Sequence, residues 1–408
     1  MRSKVRDEEA GPRIRILHVT TVPTSLMFLR DQTALMRADG IELVFASAPG
    51  EELDRFGADE GAVVEAVPME RRITPLQDLR TLARLVAVIR RHRPEVVHAH
   101  TPKGGLLGTL AARIAGVPVR VYHMRGLPLM GLTGAKRTLL WTTEWISCHA
   151  ATHVLSVGHS LRREALELGL ASADRFEVLG EGSGQGVDVE RFSPESVSPD
   201  DEARLRGELG IGDGERVLLF VGRLVGDKGV RELAAAWGAL RERDPDLRLV
   251  LVGPFEARDP VPSELRRTLE SDPRVVLSGF RSDLPAFYAI ASVVVLPTYR
   301  EGFPNVPLEA AAMARPLVGT QVVGMVDAVE DGVTGTLVPP RDAGALEAAI
   351  DAYLNDASLA ARHGEAGRAR VLRSFSRPQV LEQLRHFYRR VLTKPERVQR
   401  APVRAPAS

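Results

Sequence analysis

Val293-Val294-Val295-Leu296-Pro297-Thr298-Tyr299-Arg300-Glu301-Gly302-Phe303-Pro304-Asn305-Val306-Pro307-Leu308-Glu309 reads as a strand, a loop and the opening of a helix. The four apolar residues are mostly β-branched, and Pro297 closes them off, as at the end of a buried strand. Asn305 is predicted to cap the helix, with Pro307 in its first turn. Such a loop presents unpaired backbone N–H groups at a helix N-terminus, where an anion is stabilised. Glu301 sits in the loop and Glu309 inside the helix. Carboxylates beside an anion site suit hydroxyl-bearing ligands, such as a sugar and a ribose. On spacing alone the same stretch is equally an ordinary strand–helix turn with surface acids.

Working outward, the same grammar recurs. Phe220-Val221-Gly222-Arg223-Leu224-Val225-Gly226-Asp227-Lys228-Gly229 also lies between a strand (216–222) and a helix (229–243). Arg223 offers a planar fork and Lys228 a point charge to a diphosphate, unless both are simply solvated. Further strands are predicted at 247–253, 275–277, 293–296, 316–319 and 336–338, and an amphipathic segment spans 379–392. The first half repeats the alternation, with strands at 14–19, 41–46, 96–99 and 117–122. Helices are expected at 26–39, from Pro75 and at 104–115. The helix from Pro75 is read with Leu76, Leu79, Leu82, Ala83, Val86 and Ile89 on one apolar face. Strands alternating with helices imply an α/β fold with parallel sheets covered on both faces. Residues 193–200 read as a linker between two such domains. Ligands are then expected beyond the carboxyl ends of the strands, in a cleft.

Bulk properties agree. The 408 residues are enough for two domains, and 44% hydrophobic with 26% charged residues describes a globular chain. Cys148 is the single cysteine, so there is no intrachain disulfide or cysteine-rich zinc site, and it is expected to be a small buried residue. A lone thiol suits a reducing, cytoplasmic setting. Residues 1–12 are charged without an apolar core, unlike a signal peptide, and no apolar run is long enough to span a bilayer. Net charge is +1 but unevenly spread. Residues 39–70 hold nine acids and one base; residues 71–143 hold thirteen Lys/Arg and only Asp78 and Glu95.

The two loops, in this order, resemble the GT4-type family of glycosyltransferases with the GT-B fold, two Rossmann-like domains facing across a cleft. Glu301 and Glu309 match its E-x7-E motif, and Arg223 and Lys228 its diphosphate-binding pair. The likeness extends over about residues 14–392. Met69 to Pro75, His98 to Gly105 and Gly182 to Asp188 resemble a narrower group, the bacterial transferases of capsule, exopolysaccharide and lipid-linked glycans. The resemblance implies a retaining, metal-independent transferase that moves a hexose or N-acetylhexosamine from a nucleotide-sugar, UDP-linked in preference to GDP-linked, to a polyprenyl-diphosphate-linked glycan. No cofactor and no metal are expected. Glu301 would bind donor hydroxyls. Gly302, Phe303, Pro304 and Asn305, with Gly222, would line the phosphates. Glu309 would hold the ribose, and Arg223 and Lys228 would neutralise the leaving diphosphate. It also implies an acceptor-binding domain at 13–195, a donor-binding domain at 200–376, a helix at 377–393 returning to the first domain, and disordered tails at 1–12 and 394–408.

Two positions depart from the pattern. The loop after the first strand reads Thr20-Thr21-Val22-Pro23-Thr24 rather than Gly-Gly, leaving Thr21, Thr101 and Lys103 as acceptor-side candidates. Where many members have His before a Gly, this chain has Arg125-Gly126, with His123 two residues earlier; either one is a candidate to face the donor.

The basic first domain suggests a peripheral protein on the inner face of the cell membrane. Arg80, Arg84 and Arg91 form one stripe, and Lys136 and Arg137 lie in an apolar segment running from Leu127 to Trp141. Nucleic acid is not expected as a partner, because the basic residues are not interleaved with aromatics. Asp244-Pro245-Asp246 sits in a helix–strand turn and is not expected to bind metal. No dinucleotide fingerprint follows the first strand, and no P-loop is present. An epimerase or hydrolase, or a non-catalytic nucleotide-sugar-binding protein on the same scaffold, are the alternatives.

Overall fold

The computed structural model describes residues 14–393; the tails expected to be disordered, 1–12 and 394–408, lie outside the described residues. Thirteen strands are described: β1 (Ile14–Val19), β2 (Ile41–Ser47), β3 (Val63–Ala66), β4 (Val96–His100), β5 (Val119–Met124), β6 (His153–Ser156), β7 (Phe176–Val178), β8 (Arg216–Val221), β9 (Leu247–Val252), β10 (Val275–Gly279), β11 (Val293–Leu296), β12 (Leu317–Thr320) and β13 (Thr336–Val338). They form a seven-stranded sheet, ordered β3-β2-β1-β4-β5-β6-β7, and a six-stranded sheet, ordered β10-β9-β8-β11-β12-β13. β1 runs parallel to β2 and β4, and β8 parallel to β9 and β11. Central strands such as β4 and β11 are buried along their whole length, because helices cover both faces. Contacts divide the described chain into two units. One comprises residues 14–123, 143–154 and 382–393; the other comprises 124–142 and 155–381.

In the first unit, Leu17, Val19, Val97 and Ala99 pack against Leu85 and Ile89 of the helix Pro75–His92. The helix Arg377–Thr393 places its last turns in this unit. Arg385 and Arg389 hold Asp39 at 2.5 and 2.7 Å. The hydrogen bond from Arg385 leads the effects that draw the Asp39 carboxyl down to about 2. The Tyr388 hydroxyl lies 2.5 Å from His98 Nδ1. In the second unit, Val217 to Val221, Leu249 to Leu251 and Val293 to Leu296 share a core with Trp237, Phe287 and Leu308.

Several expectations are corrected. The helix expected over 26–39 is a 3-10 turn, Pro23–Leu29, followed by an α-helix, Gln32–Ala38. Asp31 between them has φ +65, a left-handed conformation that Asp tolerates and that breaks the helical path. The stretch read as linker at 193–200 carries a short 3-10 turn, Pro194–Ser196. The helix Pro199–Leu209 then starts at a capping box, with Ser198 and Asp201 satisfying each other's backbone N–H. β5 begins at Val119 rather than at 117, since Pro118 has no N–H to give a neighbouring strand. On the helix Pro75–His92, Leu76 and Leu79 are 78% and 64% exposed and Ala83 is exposed. Burial begins only at Thr81 and follows Leu85, Val86, Val88 and Ile89. Cys148 is buried, as expected.

One buried pair has a pH signature. Tyr122 packs flat on Gly105, where a Cβ would come within 2.2 Å of its ring, and its hydroxyl donates to Glu144 at 2.6 Å. Burial pushes the Glu144 carboxyl from 4.5 up to about 7, against the opposing Tyr122 hydrogen bond. The folded chain therefore keeps a proton that the unfolded chain releases near its ordinary value. Stability is full below that value and falls as pH rises toward 7, by ~3 kcal/mol in all. Glu144→Gln keeps an acceptor for Tyr122 without the charge. It should unfold at higher urea than the native chain at pH 8, with a much smaller difference at pH 5. An equal difference at both pH values would remove Glu144 as the cause.

Candidate functional site

The site of the second unit is built where two strand–helix loops meet. After β8 the chain turns through Gly222 (φ +152) and the 3-10 turn Gly226–Lys228 into the helix Val230–Arg243. Gly229, at φ +69, lies so close to the loop after β11 that a Cβ would stand 1.9 Å from the Pro297 carbonyl oxygen. The Asp227 carbonyl accepts the Tyr299 N–H at 2.8 Å, and its carboxylate takes the Arg300 guanidinium at 2.9 Å. Lys228 forms an ion pair with Glu301, both largely buried. Arg223, half exposed, pairs with Glu256 at 2.8 Å. The two positive residues named from sequence thus sit on one loop, and Lys228 is locked to the other loop's carboxylate.

The helix after this loop is Asn305–Ala312. Its cap is Pro304, so Asn305 is the first helical residue and not the cap expected from sequence. Pro304 takes the extended conformation that residues before a helix adopt, and no side chain caps the first turn. Glu309 accepts the Tyr288 hydroxyl at 2.8 Å. Burial raises its carboxyl above the ordinary range, with Tyr288, Arg191 and Arg377 opposing. In the Asp-Pro-Asp turn, Asp244 is engaged by Arg216 and ends the helix Val230–Arg243, a structural use of its charge.

Backbone around Gly126, Gly158, Gly182 and Gly324 closes on Gly302 and Phe303. At Gly302 a Cβ would lie 1.9 Å from the Arg125 carbonyl oxygen, and Gly126 meets the same backbone. Arg125 Nη1 donates to the Gly184 carbonyl at 3.0 Å. Asp327 receives the Ser160 N–H and hydroxyl at 2.9 and 2.7 Å, and that hydroxyl in turn accepts the Gly324 N–H at 2.8 Å. Gly324, at φ +79, brings its Cα against the Gly302 carbonyl. Ser160, Gly324 and Asp327 escaped the sequence reading, and only the glycines around them hinted at close backbone contact.

His123 belongs to the first unit. Its ring stacks on His98 at 5.2 Å within a buried row that also holds His18 and His100. The strand registers impose this row. His18 is opposite His98, His100 is opposite His123, and His98 and His100 share a face. Among the described residues, His18, His98 and His100 are the one group whose side-chain nitrogens approach closely enough for a metal, all within 4.8 Å. Those nitrogens hydrogen-bond instead, His18 Nδ1 to His100 Nε2 at 2.9 Å and His98 to Tyr388, and the rings stack rather than radiate from a centre.

Thr21 and Thr101 hydroxyls meet at 2.7 Å, and Thr21 accepts the Gly104 N–H at 2.9 Å. Thr101 holds φ +66 and ψ 157, a region otherwise left to glycine, which marks the loop as strained. Lys103 is neutralised by Asp78 at 2.8 Å. Arg80, Arg84, Lys136 and Arg137 are exposed, whereas Arg91 pairs with Glu65 at 3.0 Å. The apolar loop expected beside Lys136 is largely inward-facing, with Leu127 and Leu129 buried. Leu139 and Trp145 on the helix Gly134–Ala150 are the exposed apolar residues there. Among the described residues, no helix is long and apolar enough to cross a membrane.

Comparison with known proteins fits this geometry. Residues 215–356 match the family model described as Glycosyl transferases group 1, and residues 26–182 match the Glycosyl transferase 4-like domain. The chain belongs to the GT4-type family of GT-B glycosyltransferases, and it is a glycosyltransferase. It is 32% identical to the capsular polysaccharide biosynthesis glycosyltransferase CapM of Staphylococcus aureus, over 94% of this chain and 98% of that protein. It is 26% identical to the UDP-Gal:alpha-D-GlcNAc-diphosphoundecaprenol alpha-1,3-galactosyltransferase of Escherichia coli, over 70% and 71% of the two chains. Its fold matches that of Anabaena HepE in complex with UDP and glucose, with a TM-score of 0.76, 22% identity and coverage of 92% and 99%.

The contact at Gly302 can be tested directly. Gly302→Ala forces apart two backbones that frame Glu301, and a shift of about 1 Å costs roughly 100-fold in rate. Transfer should fall by about that factor in a protein of native circular dichroism. Gly238→Ala, on a helix where a Cβ meets nothing within 4 Å, should leave transfer unchanged.

Proposed function

We propose that this chain is a retaining, metal-independent glycosyltransferase of cell-surface polysaccharide synthesis, which takes the sugar of a UDP-sugar and adds it to a polyprenyl-diphosphate-linked glycan. The observation that carries the reading is the Lys228–Glu301 pair at the meeting of the two loops. On donor binding, Lys228 with Arg223 would face the diphosphate. The uncapped first turn after Pro304 would add backbone N–H groups, so that the negative charge developing on the leaving group is met by fixed positive ends. Glu301, released from Lys228, would accept hydroxyls of the donor sugar, and Glu309 those of the ribose. Arg125, whose backbone abuts Gly302, is assigned to the donor side in preference to His123. The acceptor hydroxyl would attack the anomeric carbon from the face the diphosphate leaves, its proton passing to the departing diphosphate oxygen as the carbon–diphosphate bond breaks; this retains configuration, and no protein nucleophile is assigned.

UDP is preferred because the Escherichia coli relative is named for a UDP-sugar and the Anabaena structure holds UDP. The lipid-linked acceptor rests on the first of these and on exposed basic and apolar residues of one helix. Lys136 and Arg137 with Leu139 and Trp145 on the helix Gly134–Ala150 would meet an anionic bilayer at the cytoplasmic face.

The test is a thermal-shift and turnover series in EDTA. UDP should stabilise the protein more than GDP, and transfer to a lipid-linked glycan should survive EDTA. Glu301→Gln should lower transfer by roughly 100-fold or more while UDP still binds. Donor turnover as fast without acceptor as with it would favour a hydrolase or epimerase. No stabilisation by either nucleotide would overturn the donor site.

A further inference from the structure

The first unit holds a cavity of ≈ 410 Å³ that the donor chemistry does not use. It opens beyond the carboxyl ends of β2 and β3, the side of a parallel sheet where ligands bind. Its size falls in the range of small-molecule sites, about 300–1,000 Å³. The walls are pinned. Val67 N–H donates to Ser47 at 2.7 Å, joining the chain beyond the two strands, and Thr81 Oγ1 donates to the Pro68 carbonyl at 2.6 Å, tying the helix Pro75–His92 to the loop after β3.

The lining has three chemistries. Pro49, Pro68 and Met69 give apolar groups; Glu70 and Gln77 give hydrogen-bonding groups; Arg80 and Arg84 project from successive turns of one helix. Side chains four residues apart on a helix are neighbours, about 5–6 Å between Cβ atoms, so both guanidiniums can meet one ligand. Neither makes a hydrogen bond or ion pair with another described residue, although Asp78 lines the same cavity. Lys103 already takes the Asp78 charge at 2.8 Å. The cavity therefore carries two unspent guanidiniums against a single open carboxylate, Glu70.

We propose that this cavity is a specificity subsite for a sugar ring bearing an exocyclic oxyanion, a carboxylate or a phosphate, in the acceptor glycan. The ring's apolar face would rest on Pro49, Pro68 and Met69, its hydroxyls would bond Glu70 and Gln77, and the oxyanion would take the Arg80–Arg84 fork. The assignment rests on the glycosyltransferase reading only for calling the ligand an acceptor.

The test fills the donor site with UDP and then titrates three soluble probes, methyl glucuronide, glucose 6-phosphate and methyl glucoside, read by saturation-transfer NMR. At least one charged probe should bind tenfold or more tighter than the neutral glucoside, and which one does so identifies the acid. Arg80→Gln/Arg84→Gln should erase that preference while UDP affinity stays native. Equal binding of all three probes, or a preference that survives the double variant, overturns the subsite. Loss of phosphatidylglycerol-vesicle binding in the double variant with sugar preference intact also overturns it, by making the pair a lipid contact. Failure of the donor reading would show separately, as absent UDP stabilisation in the native chain.

Discussion

At Gly302 two backbones meet with no room for a side-chain carbon, and the arrangement of the second unit depends on that contact. The Arg125 carbonyl occupies the space a Cβ would need, and the Gly302 carbonyl is in turn approached by Gly324. Around this point the glycines are requirements of distance: Gly158 lies against the Asp327 carboxylate and Gly182 against the Val157 carbonyl. A carboxylate on the loop after β11 is therefore held by backbone packing on one side and by Lys228 on the other. Preorganisation of this kind suits a site whose main work is to meet charge as it forms.

The two strand–helix loops were legible in the sequence because their information is local. Each is a strand end, a glycine-bearing turn and a helix start within about ten residues, and the acids and bases lie inside that window. Arg125 and Ser160 were not legible in the same way. Their partners, Gly184 and Asp327, lie 59 and 167 residues away, and no periodicity encodes a contact of that range. The helix cap fell one residue early because Asn is a strong cap by type, while Pro304 already had the extended backbone the position needs.

The faces of helices were legible only in part. The helix Pro75–His92 has apolar residues at helical spacing on more than one side, and spacing alone does not say which side the sheet covers. Leu85 and Val88 face in, whereas Leu76 and Leu79 face out beside Arg80 and Arg84. Leu127 and Leu129 erred in the opposite direction, since an apolar loop that looked like a membrane contact is used to fill the interior. The basic block from 71 to 143 is likewise less uniform in space than in sequence, because Glu65 and Asp78 each neutralise one of its cations.

The last turns of the helix Arg377–Thr393 belong to the first unit. Phe387 and Tyr388 are buried, Tyr388 reaches His98 on β4, and Arg385 and Arg389 close on Asp39 just before β2. During synthesis the strands β1 to β5 therefore emerge long before the helix that brings Tyr388 to His18 and His98. More than 250 residues separate His123 from Glu382, which at ribosomal rates of about 5–20 residues per second is on the order of tens of seconds. Throughout that interval the row of histidines and the core beside it stand open to solvent and to other chains. A ribosome that stops short of the helix Arg377–Thr393 releases a product in which His18 and His98 lack their Tyr388 neighbour.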